Sequence, residues 1–148
     1  MNNSNQFEDR YMAVDYGKRR VGIALSDPLK TFAYPYLTLK NDNKLLENII
    51  NIIKEKSVST LILGFPNDSK FNNSSIINDI IKFKEKLLKF VNLSIQFYDE
   101  SYSSKIAQKK VIESVTKRKK RRDKSILDMH SAAVILFEYL NQYNNKSE

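Results

Sequence analysis

Apolar positions along this chain follow two rhythms. Short continuous or alternating runs occupy residues 11–15, 20–25, 32–39, 59–63 and 93–98. Runs of that length, rich in branched and aromatic side chains, predict strands. Elsewhere apolar residues recur at spacings of three and four, which predicts helices. Leu45, Leu46, Ile49, Ile50, Ile52 and Ile53 do so within 41–56, with Asp42 or Asn43 as the expected cap. Ile76, Ile77, Ile80, Ile81, Phe83, Leu87 and Leu88 do so within 75–90. Ala107, Val111 and Val115 line up within 104–115, and Ala132, Ile135, Leu136, Tyr139 and Leu140 within 126–142.

The order is a hairpin-led set of three strands, then helix, strand, helix, strand, helix, helix. It predicts an α/β fold with a mixed five-stranded sheet, antiparallel at its start and parallel afterwards, flanked by helices. Pro35 marks its strand as an edge or a bulge. The run at 59–63 has the unbroken apolar character of a buried parallel strand. One domain over 9–142 is expected, with a disordered tail at 1–8 and a polar tail at 143–148. A basic loop at 116–125 is expected to be mobile.

Acids at the ends of apolar runs carry the candidate chemistry. Met12, Ala13 and Val14 run into Asp15, and Tyr16-Gly17 turns the chain into the second strand. Asp is unfavourable inside a strand. A turn-forming Asp that bonds its own backbone is the plain account; an acid held at a sheet rim to bind a metal is the sharper one. The strand at 93–98 ends in a second pair, Asp99-Glu100. A third acid, Asp128, lies four residues before Ala132, on the core-facing side of the last helix and in its first turn. A helix-start Asp is favoured by the macrodipole alone, but a buried, unpaired carboxylate is costly. Asp15, Glu100 and Asp128 come from three separated segments that an α/β sheet can bring to one rim. Such hard oxygen ligands select Mg²⁺ or Mn²⁺. Two ions, about 4 Å apart, would serve in-line phosphoryl displacement. Asp99 is a reserve ligand; Asp27 could also approach, although a Ser-Asp-Pro turn is its expected job.

Composition narrows the partners. A formal charge of +8 points to an anionic partner, nucleic acid before membrane surface. The three glycines are Gly17, Gly22 and Gly64, all beside strand ends or turns. With no cysteine, disulfides, zinc–thiolate sites and Cys nucleophiles are excluded. No signal peptide and no run of membrane-spanning length are visible, so a cytoplasmic location is expected. An actin-like ATPase, which also begins with D-x-G after a strand, needs a second lobe for which 148 residues leave no room.

Residues 117–124 hold seven cations and one acid. A solvated charge run is the ordinary reading. Just before the Asp128 helix, contact with a phosphate backbone is the stronger one. The expected nucleic-acid contacts are Lys117, Arg118, Lys119, Lys120, Arg121, Arg122 and Lys124, joined by Lys18, Arg19, Arg20 and Lys105. His130, the only histidine, lies two residues from Asp128 and so faces elsewhere on the helix. Phe65, Phe71 and Tyr102 are available for base stacking, although packing is the expected role of each.

The ordered set DYGKRRVGIALSD (15–27), LGFP (63–66), the strand-end acids, the basic loop and D-x-x-x-AA-x-x-L-x-x-YL from Asp128 resembles the YqgF/RuvX family over about residues 10–142. That resemblance implies an RNase H-like fold. It also implies nuclease activity, either maturing the 5′ end of pre-16S ribosomal RNA or resolving Holliday junctions. By the same resemblance, Asp15, Glu100 and Asp128 are the catalytic metal-binding acids. Gly17, Arg20 and Gly22 match the first motif, and Gly64 and Pro66 match the glycine–proline loop. The implied partners are pre-rRNA or branched DNA, and the pre-30S particle, with the protein a monomer or homodimer. A structured-RNA-binding module that does not cleave is the alternative. One departure stands out. The family follows its strand-end acids with Arg and then a small hydroxyl residue; here Ser101 replaces the Arg, and Ser103 sits at the hydroxyl position. An Arg there would grip a phosphate with a bidentate fork. Lys105 or Lys18 offers only a point charge.

Overall fold

The computed structural model describes residues 9–65, 74–99 and 124–146. Five strands form one sheet: β1 (Arg10–Tyr16), β2 (Arg20–Ser26), β3 (Ala33–Lys40), β4 (Val58–Phe65) and β5 (Ser94–Asp99). Their order is β3-β2-β1-β4-β5. The β1/β2 and β2/β3 pairs are antiparallel, and β1/β4 and β4/β5 are parallel. This is the mixed sheet expected from the chain pattern. Three described helices flank it: α1 (Leu45–Glu55), α2 (Ser74–Leu88) and α3 (Lys124–Lys146). The expected helix at 104–115 lies outside the described residues.

Strand alternation divides the core in two. Met12 and Val14 of β1, Val21, Ile23 and Leu25 of β2, and Leu61 and Leu63 of β4 face α1 and α2. There they pack with Ile49, Ile52, Ile80, Phe83 and Leu87. Ala13, Ala24, Ile62 and Tyr98 face the other way, onto Ala132, Ile135, Leu136 and Leu140 of α3. The small residues Ala13 and Ala24 let α3 lie close to the sheet centre.

Four local expectations are corrected. The last helix begins at Lys124, two residues before the expected start, so Asp128 is its fifth residue and lies in the second turn, not the first. The cap of α1 is Lys44, with no side-chain capping bond; Asp42 Oδ1 instead accepts from the Lys44 N–H at 3.0 Å, shaping the turn before the helix. On α2, Ile81 and Leu88 are 38% and 44% exposed, because only the stripe through Ile80, Phe83 and Leu87 meets the sheet. Gly64 and Phe65, expected to open a polar loop, belong to β4, paired with Tyr98 and Asp99. Pro35 fits its expected place: β3 is the sheet edge, and the β2/β3 register shifts between Ile23 and Ala24, where Pro35 pairs with Ala24.

Candidate functional site

Asp15 lies near the end of β1 and shares its face with Tyr11 and Ala13, the face covered by α3. Tyr11 marks that side by its edge-on contact with Tyr139, ring centres 6.2 Å apart. Across the hairpin, Asp15 pairs with Gly22. Residues directly opposite in an antiparallel pair point to the same face, so Gly22 also faces α3. A Cβ on Gly22 would lie 2.0 Å from the carbonyl oxygen of Asp128. The first turns of α3 therefore sit on bare backbone, beside the strand position that carries Asp15.

Two further contacts hold that end of α3. Arg20 Nε donates to Asp128 Oδ2 at 2.7 Å, an ion pair whose side chains are 36% and 26% exposed. Thr38 Oγ1 of the edge strand donates to the Ser125 carbonyl at 2.5 Å. Backbone packing, a side-chain ion pair and a hydroxyl bond thus fix the turn carrying Asp128 against β2 and β3.

The hairpin turn is braced as well. The Gly17 N–H donates to the Arg20 carbonyl at 3.0 Å, and a Cβ on Gly17 would lie 2.6 Å from that oxygen. Asn41 Nδ2 donates to the Gly17 carbonyl at 2.7 Å, and its N–H donates to the Arg19 carbonyl at 2.9 Å. Lys18 and Arg19 are exposed on this turn, and Lys18 Nζ reaches Ser75 Oγ at 2.5 Å.

Sequence-derived candidates divide accordingly. Asp15, Asp128, Arg20 and Gly22 come together on one face. Asp27 is used as expected of its turn: Oδ1 accepts from the N–H groups of Thr31 and Phe32, both at 2.7 Å. Burial works to raise its pKa, but those backbone donors prevail and hold it below the usual carboxylate range. Phe65 packs on Phe97, ring centres 5.0 Å apart, which is the packing role expected of it. His130 borders an apolar groove with Ala33, Pro35 and Phe137. Glu100, Lys105, Lys117 to Arg122, Pro66, Phe71, Ser101, Tyr102 and Ser103 lie outside the described residues. Lys124 is the first residue of α3. Among the described residues, no three His, Cys, Asp or Glu side chains gather as a metal-binding group, and no helix is long and apolar enough to cross a membrane.

The sequence pattern puts Arg20 among the expected nucleic-acid contacts and does not single out Thr38 or Asn41. The period of two was enough to put Arg20 on the same face as Gly22 and Asp15. Its pairing with Asp128 spans 108 positions and leaves no local signal.

The family model described as "Holliday junction resolvase" matches residues 9–142. The chain belongs to the RuvX family. Among RuvX relatives, a protein of Amoebophilus asiaticus named "Putative pre-16S rRNA nuclease" is 39% identical over 135 residues, covering 90% of this chain and 95% of that one. A protein of Chlorobium phaeobacteroides with the same name is 37% identical, covering 92% and 94%. Two solved structures share the RNase H-like fold. Thermus thermophilus RuvC with a Holliday junction substrate has a TM-score of 0.59 at 9% identity, covering 89% of this chain and 96% of that one. The Fowlpox virus resolvase with Holliday junction DNA has a TM-score of 0.57 at 13% identity, covering 90% and 98%.

Proposed function

We propose that this protein is a metal-dependent endonuclease that hydrolyses phosphodiester bonds, with the 5′ end of pre-16S ribosomal RNA as its substrate. The observation that carries the reading is the close seat of Asp128 against Gly22, directly across from Asp15. The names of relatives at 37% and 39% identity over nine-tenths of the chain support pre-16S rRNA as the substrate.

Asp15 and Asp128 fit a divalent cation in kind: both are hard oxygen donors on one face, and Asp128 already takes a cationic partner in Arg20. With Glu100 they are proposed as the ligands of Mg²⁺ or Mn²⁺, in two positions. Bound ions would polarise a water and offset charge on the phosphate. The chain's own residues do the rest. Lys18 and Arg19 on the turn, with Lys105 and the run from Lys117 to Lys124, draw the phosphate backbone toward the rim without reading sequence. Direct attack by water needs no Cys or His nucleophile. The proposed unit is 9–142, acting in the cytoplasm on the pre-30S particle.

Resolution of four-way DNA junctions is the second reading, favoured by the family description. One experiment separates the two. A labelled ribosomal precursor fragment and a synthetic four-way junction are each incubated with Mg²⁺, Mn²⁺ or EDTA. Wild type is compared with Asp15→Asn and Asp128→Asn. Metal-dependent cleavage of the RNA, lost in both variants, is expected. Cleavage of the junction alone would move the substrate to DNA. Binding without cleavage under every metal would leave only an RNA-binding module.

A further inference from the structure

We infer that Arg20 is a positioning residue for Asp128, not a contact to nucleic acid. The inference rests on the nuclease reading above. Arg20 opens β2 on the face shared by Asp15 and Gly22. Its backbone is fixed on two sides: its carbonyl accepts from Gly17 at 3.0 Å, and it pairs with Lys40 in β3. From that fixed point, Nε reaches across 108 residues to Asp128 Oδ2 at 2.7 Å.

The choice of atom matters. A guanidinium gripping phosphate uses two parallel N–H groups in a fork. Here the Nε–H, one member of the side-on fork, is committed to a carboxylate, which leaves a phosphate only the terminal Nη pair. Asp128 is the fifth residue of α3, in its second turn, so it does not cap the helix start. Arg20 draws the Asp128 carboxylate toward β2. Both side chains meet solvent, at 36% and 26% exposure, so the pair adds little to stability. Its effect is on geometry: one oxygen is held, and the orientation of the other follows. Ligating carboxylates are commonly held by such partners, whose loss typically costs roughly 10–100-fold in metal affinity or activity. Lysine cannot replace this contact, because it has charge but no Nε–H edge.

The test compares Arg20→Ala and Arg20→Lys with wild type, alone and combined with Asp128→Asn. Three quantities are read: kcat and KM for the cleaved substrate, Mn²⁺ affinity by calorimetry, and substrate binding in EDTA by filter retention. Expected results for both Arg20 variants are a fall of roughly 10–100-fold in kcat and in Mn²⁺ affinity, with unchanged binding in EDTA. Adding Arg20→Ala to Asp128→Asn should cause no further loss of Mn²⁺ affinity, because the two act through one contact. Arg20→Gln takes the place of Arg20→Ala if the latter does not fold. Weakened binding in EDTA with kcat intact would return Arg20 to the nucleic-acid contacts. Full recovery in Arg20→Lys, or Mn²⁺ binding unchanged in Arg20→Ala, would overturn the inference. If wild type cleaves nothing under any metal, the nuclease reading falls while the Mn²⁺ titrations still judge the Arg20–Asp128 contact.

Discussion

Gly22 and Asp128 touch backbone to backbone: the carbonyl oxygen of Asp128 lies 2.0 Å from where a Cβ on Gly22 would be. A methyl group at residue 22 has no flexible side chain to push aside and must move the start of α3. Gly22→Ala should therefore destabilise the protein by about 1–3 kcal/mol, the usual cost of overpacking. It should lower cleavage further than that loss of folded protein explains, because Asp128 moves with the helix. Urea unfolding and kcat on the same preparations check both parts. Unchanged stability would mean that α3 does not sit where this contact puts it.

Tyr98 gives the fold an alkaline limit. Burial, then the Glu138 carboxylate, then the charge of Asp99, push its phenol above the ordinary value. Its hydroxyl donates to Glu138 Oε2 at 3.1 Å and accepts from Gln142 Nε2 at 3.2 Å. Since the folded form holds this proton more tightly, stability is flat below about pH 10, the ordinary tyrosine value, and falls as pH rises beyond it. In Tyr98→Phe the urea midpoint should be lower at pH 8 and decline less above pH 10. Parallel curves for the two proteins would count against the buried phenol.

Asp9 does the reverse at acid pH. Burial works to raise its pKa, but the Ser59 hydroxyl at 2.5 Å and the Lys30 ammonium at 2.9 Å prevail and lower it. The stability it contributes is present above about pH 4, the ordinary carboxylate value, and is lost as pH falls through the lowered value. Asp9→Asn should cost about 1–2 kcal/mol at pH 7, in the range of hydrogen bonds to charged groups. The gap to wild type should narrow steadily below pH 4 in an acid titration of unfolding.

Nucleic-acid affinity should fall linearly in log–log form as salt rises. Replacing Arg121 and Arg122 together by Ala should reduce that slope by about 1 per phosphate contact removed. Loss of affinity should be similar for RNA and DNA of any sequence, since backbone contacts do not read bases. A fluorescence anisotropy series across salt concentrations gives the slope. An unaltered slope would make the run a solvated surface.

Much of the fold was legible because each element carries its own periodicity. The unbroken run at 59–63 announces a buried parallel strand, and Pro35 an edge or a bulge. Ala132, Ile135, Leu136 and Leu140 named the buried face of α3 before any partner was known. Asp15 and Asp128 stood out for the same local reason: each is a charge where the pattern calls for an apolar or turn residue. Errors came where local pattern met a specific neighbour. Ile81 and Leu88 continue the apolar run of α2, yet they lie to the side of the stripe that meets the sheet and stay exposed.

By itself the sequence determined the alternation of strands and helices, the faces they bury and the acids that interrupt those faces, because periods of two and 3.6 are properties of neighbouring residues. Only the tertiary structure decided that Gly22 would lie under Asp128, that Thr38 would hold the Ser125 carbonyl, and that Arg20 would pair with an acid 108 positions away. Those choices depend on how closely α3 approaches β2, and closeness is set by the joint packing of both sheet faces. No local pattern carries that distance.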